Sequence, residues 1–276
     1  MKTIEDEIQS PPAKPSPDAV QRLTKDMRNA AKLMGVLEAR YFVDTYYQLQ
    51  ANRIAASNQQ RAIQAGDEPS EHIVWLNTQQ ETLEKCIHSM LDKWSGAQPM
   101  GIWAREVVGI GPVIASGLLA NIDIKKAPTA GHIWRFCGLD PTCHWEKGQK
   151  RPWNASLKRL CWLIGESFVK VSSHKNDVYG HRYQERKAYE QKNNEAGKYA
   201  EQAQKQLAKI RNRQNKDFIS LLASGKLPPA ALHERAKRWA VKLFLSHWHE
   251  AAYRLEYGKE PPAPYPIAHL GHVHKI

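Results

Sequence analysis

From Val20 to about Ala65 apolar residues return at steps of three and four: Leu23, Met27, Ala30, Ala31, Met34, Leu37, Ala39, Tyr41 and Phe42. That spacing lays one apolar stripe along a helix, and only Gly35 interrupts it, so a single long helix is predicted. Gly66-Asp67-Glu68-Pro69 breaks the run. Ser70 is a suitable N-cap for a second helix carrying Ile73, Leu76, Leu83, Ile87, Met90 and Leu91, which stops at Ser95-Gly96-Ala97-Gln98-Pro99. Two long helices joined by a short turn predict a coiled-coil-like helical hairpin over residues 21–98. Such a hairpin has one apolar face to cover. An intramolecular bundle covers it, and so does a homodimer.

Beyond residue 98 the pattern predicts shorter helices. Residues 101–125 read as two helices around a glycine turn, and Gly131–Cys137 as a third, ended by Gly138-Leu139-Asp140-Pro141. Thr142–Trp153 is basic and aromatic without a regular period, a loop or a short β-ribbon. Ala155–Val171 is rich in Leu, Trp and Ile and reads as a helix. Val178–Arg213 reads as one long polar helix, solvated on most sides or laid along a charged partner. Gly225-Lys226-Leu227-Pro228-Pro229 then introduces an amphipathic helix over Ala230–Tyr257. The expected fold is all-α, with a flexible tail over residues 1–20 and a Pro/His-rich tail over residues 259–276. Residues 99–258 form a basic helical domain between hairpin and tail.

Charge divides the chain. Residues 1–100 carry 11 Lys+Arg against 13 Asp+Glu, whereas residues 101–276 carry 29 against 15. A polyanion-binding surface therefore belongs to the second part, and nucleic acid is the polyanion favoured over a membrane, because no amphipathic anchor or lipidation signal accompanies the charge. No apolar run is long enough to span a bilayer and no secretory signal opens the chain. The four cysteines have no disulfide-framework spacing, which predicts reduced thiols in a cytoplasmic protein.

The most specific signal is Val107-Val108-Gly109-Ile110-Gly111-Pro112-Val113 followed by Ala115, Leu118 and Leu119. It reads as a helix-hairpin-helix. Gly109 and Gly111 permit positive φ and a close backbone approach. Ile110 tucks into the core, and Pro112 presets the second helix where its missing N–H costs nothing. The unpaired N–H groups at that helix start, Val113 among them, together with the helix dipole, offer a place for one phosphate. Such a contact positions a protein on DNA without reading bases.

The densest basic-aromatic region follows. Trp145 and Trp153 lie among Lys147, Lys150, Arg151, Lys158 and Arg159, where bases or sugars of DNA or RNA can stack. Trp134 and Trp162, on helices, are expected in the core. Lys170, His174, Lys175, His181, Arg182, Arg186 and Lys187 extend the basic face. Two nucleophile candidates stand nearby, Ser156 and Cys143, the latter beside His144. His247, His249, His269, His272 and His274 cluster late; a zinc site built from them competes with plain surface histidines, and no cofactor or metal ligand set is assigned.

From the hairpin onward the order of features resembles the C-terminal half of the bridge-RNA-guided insertion-sequence transposases. It is carried by Gly109-Ile110-Gly111-Pro112, Ala115 to Leu119, Phe136-Cys137-Gly138-Leu139-Asp140-Pro141, Lys147-Gly148-Gln149-Lys150-Arg151 and Ser156-Leu157-Lys158-Arg159-Leu160. The match covers residues 101–175, and the hairpin of residues 20–95 is similar to the coiled-coil segment that precedes this half. The resemblance implies DNA recombination and transposition, and leaves the participation of a guide RNA open. Two departures qualify it. Family members begin with a RuvC-like, metal-binding nuclease domain, for which the 20 residues here leave no room. They also place a nucleophilic serine soon after the Gly-Leu-x-Pro turn, where this chain reads Thr142-Cys143-His144-Trp145-Glu146. The expectation is a DNA-binding, transposase-like module that leaves Mg²⁺-dependent cutting to a separate nuclease subunit. An active recombinase using Ser156 or Cys143 and an architectural DNA- or RNA-binding protein are the alternatives.

Overall fold

Helices α2 (Val36–Ala65) and α3 (Glu71–Gly96) run antiparallel, and their polar pairs set the register. Arg53 meets Glu84 at 2.6 Å, the Asn77 amide donates to the Ser57 hydroxyl at 3.2 Å, and the Trp94 indole N–H donates to the Met34 carbonyl at 2.9 Å. The computed structural model describes residues 22–66, 70–210 and 215–262. Among these the regular structure is all helical, as the periodicity predicts, with no strand; residues 142–153 form a loop. No described helix is long and apolar enough to cross a membrane. The tail over residues 1–20 and most of that over 259–276 lie outside the described residues.

Two predicted helices are subdivided. The run from Val20 contains α1 (Lys25–Ala30), a 3-10 turn over Ala31–Leu33, and only then α2, with Gly35 extended as its N-cap. Trp94 explains the break: its buried indole takes the Met34 carbonyl out of helical pairing and packs with Ala39 and Ala120. The polar stretch Val178–Arg213 is likewise two helices, α8 (Tyr179–Glu195) and α9 (Ala200–Lys209). Gly197 takes φ 76°, the Lys198 N–H bonds the Asn193 carbonyl and the Gly197 N–H bonds that of Asn194. These two bonds around a left-handed glycine end a helix by satisfying its last carbonyls. Much of α8 is exposed, as expected of so polar a stretch, but one face of it is buried through Tyr179, Tyr183, Glu190, Asn193 and Asn194.

The rest of the chain wraps a central pair. α7 (Ala155–Val171) packs on α11 (Pro229–Tyr257), and α4 (Pro99–Arg105), α5 (Pro112–Asn121), α6 (Ala130–Phe136) and α8 surround them. Leu118, Ile133, Leu157, Ile164, Phe168, Phe244 and Leu245 are fully buried there, each large apolar side chain stabilising by roughly 1.5–3 kcal/mol. A satellite cluster of Ala203, Leu222, Leu227 and Leu232 joins α9 and α10 (Lys216–Ala223) to the start of α11. The base of the α2–α3 hairpin docks through α5, where Val43, Ile87, Leu91 and Val113 form one cluster. Its far half keeps Ile54, Val74, Trp75 and Leu76 exposed.

Candidate nucleic-acid interface

The hairpin turn sits between α4 and α5 and leans on the C-terminal end of α7. Gly109 takes φ 94°, and a Cβ there would lie 3.1 Å from Val171 Cγ2 and 3.2 Å from Ser167 Oγ. The Ser167 hydroxyl donates to the Gly109 carbonyl at 2.5 Å, and Ile110 is buried in the main core. The close approach expected of this glycine is therefore made to the protein's own helix. Gly111 differs from expectation: it is ordinary extended backbone, φ −90° and ψ 177°, and a Cβ there meets nothing within 4 Å. The Val113 side chain is buried against α2 and α3, so its backbone is what it can offer a ligand at the start of α5.

The basic-aromatic loop gathers at the other end of α7. α6 ends with Gly138 at φ 65°, its Leu139 N–H bonding the Trp134 carbonyl at 2.8 Å. Asp140 accepts from the Thr142 N–H and hydroxyl at 2.9 and 2.7 Å, and these bonds hold its carboxyl below the usual range. Trp153 lies on Gly138, whose Cβ would come within 2.8 Å of the indole, and the Lys158 ammonium stands 4.0 Å from the ring centroid. Trp145 packs edge-on against Trp153 at 6.5 Å, its N–H donates to the Gln149 carbonyl at 2.7 Å, and Arg151 covers it at 5.4 Å. Each such cation–π contact is worth about 0.5–1 kcal/mol at an exposed site. Lys147 and Lys150 are exposed on the same loop, while Arg159 turns toward Tyr47 of α2 at 5.7 Å.

Asn154 fixes the start of α7 by accepting from the Leu157 N–H at 2.9 Å, and its amide reaches Asn121 at the end of α5 at 3.3 Å. Between Asn154 and Ser167 the helix rises roughly 20 Å. The structure thus brings Lys147, Lys150, Arg151, Trp153 and Lys158 together, and holds Gly109, Ile110, Gly111 and Val113 a helix length away.

Other candidates have different surroundings. Ser156 is exposed in the first turn of α7, and Cys143 is half-buried beside exposed His144. Among the described residues no hydrogen bond joins Ser156 or Cys143 to a histidine or carboxylate, the contact that activates such nucleophiles. All four cysteines are free thiols. Trp134 is half-buried against the core, but Trp162, also expected inside, is exposed on α7 with Lys237 against its face at 5.1 Å. Arg182 and Arg186 are engaged on α8, pairing with Glu185 at 2.9 Å and Glu190 at 2.6 Å. His247 meets the Tyr179 hydroxyl at 2.8 Å, and buried His249 contacts the Ala127 carbonyl at 2.8 Å. Burial pushes the His249 imidazole below its usual value. His269, His272 and His274 lie outside the described residues.

Two charged clusters escaped sequence reading because each is completed by a residue distant in the chain, Arg235 in one and Glu166 in the other. Buried Glu190 collects Arg186, Arg235 and the Tyr199 hydroxyl. Glu166, His233 and Glu234 place their donor atoms within 4.8 Å of one another, a set of cation-binding type. The Lys237 ammonium bonds both carboxylates, and the Tyr183 hydroxyl meets His233 Nδ1 at 2.7 Å. Burial alone would lower the Lys237 pKa, but the hydrogen bonds to Glu166 and Glu234 hold it above the ordinary lysine value. Lys237→Met leaves two carboxylates facing each other and is expected to cost about 2 kcal/mol in urea unfolding; an unchanged midpoint would show that the pair is fully solvated.

No family model matches the chain, and neither a curated protein nor a solved structure does.

Proposed function

We propose that this chain is a nucleic-acid-binding protein of transposase type, gripping DNA phosphates at two places along α7. The observation that carries the reading is the exposed platform of Lys147, Lys150, Arg151, Trp145 and Lys158 at one end of that helix. At the other end, roughly 20 Å away, the start of α5 is open above Gly111. Cations and rings in one exposed loop suit a polynucleotide, whose backbone supplies charge and whose bases supply stacking faces. The hairpin turn adds a second, sequence-independent phosphate contact. Strand cleavage belongs, in this reading, to a separate metal-dependent nuclease, since among the described residues neither Ser156 nor Cys143 hydrogen-bonds a histidine or carboxylate. The exposed apolar residues on the far half of α2–α3 suit a homodimer contact.

The glycines separate folding from function. Gly109→Val forces a β-branched residue into positive φ against Val171 and Ser167, and is expected to cost about 2–4 kcal/mol in stability. Gly111→Val has space and ordinary dihedrals, so it should change stability by no more than about 1 kcal/mol. In a gel-shift titration the same Gly111→Val chain should bind duplex DNA about tenfold more weakly. Undiminished binding by this folded variant would remove the hairpin from the interface.

A further inference from the structure

A groove of about 790 Å³ opens beside the basic loop, between the first turns of α2, the end of α5 and α6. Its floor is apolar and buried, formed by Ala120, Ala127 and Ile133. Its walls include Pro152 and two exposed apolar side chains, Val36 at 50% and Phe136 at 43%. The rim is cationic. Arg40 is fixed there by donating from Nε and Nη2 to the Ala120 carbonyl at 3.2 and 2.5 Å, and Arg135 and Lys126 stand on the same rim. Asp123, the carboxylate in the lining, is paired with Lys126 at 3.3 Å.

Groove and loop share one frame. The Asn154 N–H bonds the Phe136 carbonyl at 2.9 Å, and Trp153 packs on Gly138 two residues past Phe136. Pro152 belongs to both, being the neighbour of Arg151 and part of the groove wall. A strand lying along Lys150 and Arg151 is thereby led over Pro152 to the mouth of the groove.

An apolar interior under a cationic rim matches a ligand with a flat uncharged face and anionic attachments. It is of the size that takes small ligands. A phosphate has no partner on the floor, and a base held in a duplex does not present its face. Accordingly, we propose that the groove receives one unpaired nucleotide of a polynucleotide strand, its base stacked on Phe136 and its phosphates near Arg40 and Arg135. This rests on the nucleic-acid reading above and names the form of strand it would recognise.

The test uses the full chain and two short labelled duplexes, identical except for one bulged fluorescent purine. Wild type is expected to bind the bulged duplex about tenfold more tightly than the paired one, and to shift the purine's emission. Phe136→Ala, and Val36→Trp, which fills the groove from an exposed position, should abolish that preference and leave paired-duplex affinity intact. Equal affinities in wild type overturn the groove and leave the platform standing. Failure to bind either duplex overturns both readings. A preference that survives Val36→Trp in a folded chain also overturns the groove, as does a Val36→Trp chain whose main change is in self-association, since a second copy would then be the occupant.

Discussion

Glu190→Gln should lower stability by about 3 kcal/mol. The carboxylate is 1% exposed and is held by Arg186 at 2.6 Å, by Arg235 at 3.0 Å and by the Tyr199 hydroxyl. The amide keeps the volume but removes the charge, leaving two guanidinium groups facing each other across a buried position. For a chain of this size the loss corresponds to roughly 6–12 °C in thermal midpoint. Burial alone would raise the Glu190 pKa, but the bonds from Tyr199, Arg186 and Arg235 outweigh it and hold the carboxyl below its ordinary 4.5. A carboxylate with a lowered folded-state pKa contributes stability that is fully present above the unfolded value and is lost as pH falls through the folded one. The deficit of Glu190→Gln should therefore be complete at neutral pH and shrink below about pH 4.5. Urea unfolding of both chains across that range checks it; a pH-independent gap would mean that the charge is not what holds α8 to α11.

Replacing Lys147, Lys150 and Arg151 together by alanine should weaken duplex binding on the order of 10²-fold at 0.1 M salt. These side chains are exposed on one loop, so their removal subtracts phosphate contacts without opening the core. Each lost contact also lowers the slope of log affinity against log salt by about one, so the triple variant should lose about three. Lys85→Ala is the control, since this lysine lies on α3 in the acidic half and is paired with Glu81 at 2.7 Å. Gel shifts at several salt concentrations read both quantities. A triple variant with wild-type affinity and slope would move the interface elsewhere and remove the central support of the proposed function.

The difference between what was legible in the sequence and what was not follows the range of the interactions involved. The turn after α6 is visible because Gly138 and Pro141 act within a few residues of the helix they end. Gly197 acts just as locally, yet its helix stop was hidden within a uniformly polar run, where no apolar period changes to mark it. The break before α2 depends on Trp94, 60 residues away from Met34. Trp162 was expected inside because it lies on an apolar helix, but its position faces solvent and Lys237 rather than the Leu160–Ile164–Phe168 side of α7. Arg186 looked like part of a basic face, and only its approach to Glu190 from the next turn and the arrival of Arg235 from α11 show it committed to the fold.

By itself the sequence determined the helical class, most helix ends, the separation of acidic and basic halves, and the clustering of cations and indoles in residues 145–153. These depend on periodicity, caps and composition, which act along a short length of chain. Tertiary structure alone decided that Gly109 packs on α7 while Gly111 stays open, that the hairpin turn and the basic loop stand at opposite ends of one helix, and that Phe136, Pro152 and Arg40 border a common groove. Those placements depend on how α5, α6 and α7 pack against α2 and α11, and no local pattern encodes the contact between residues brought together from distant parts of the chain.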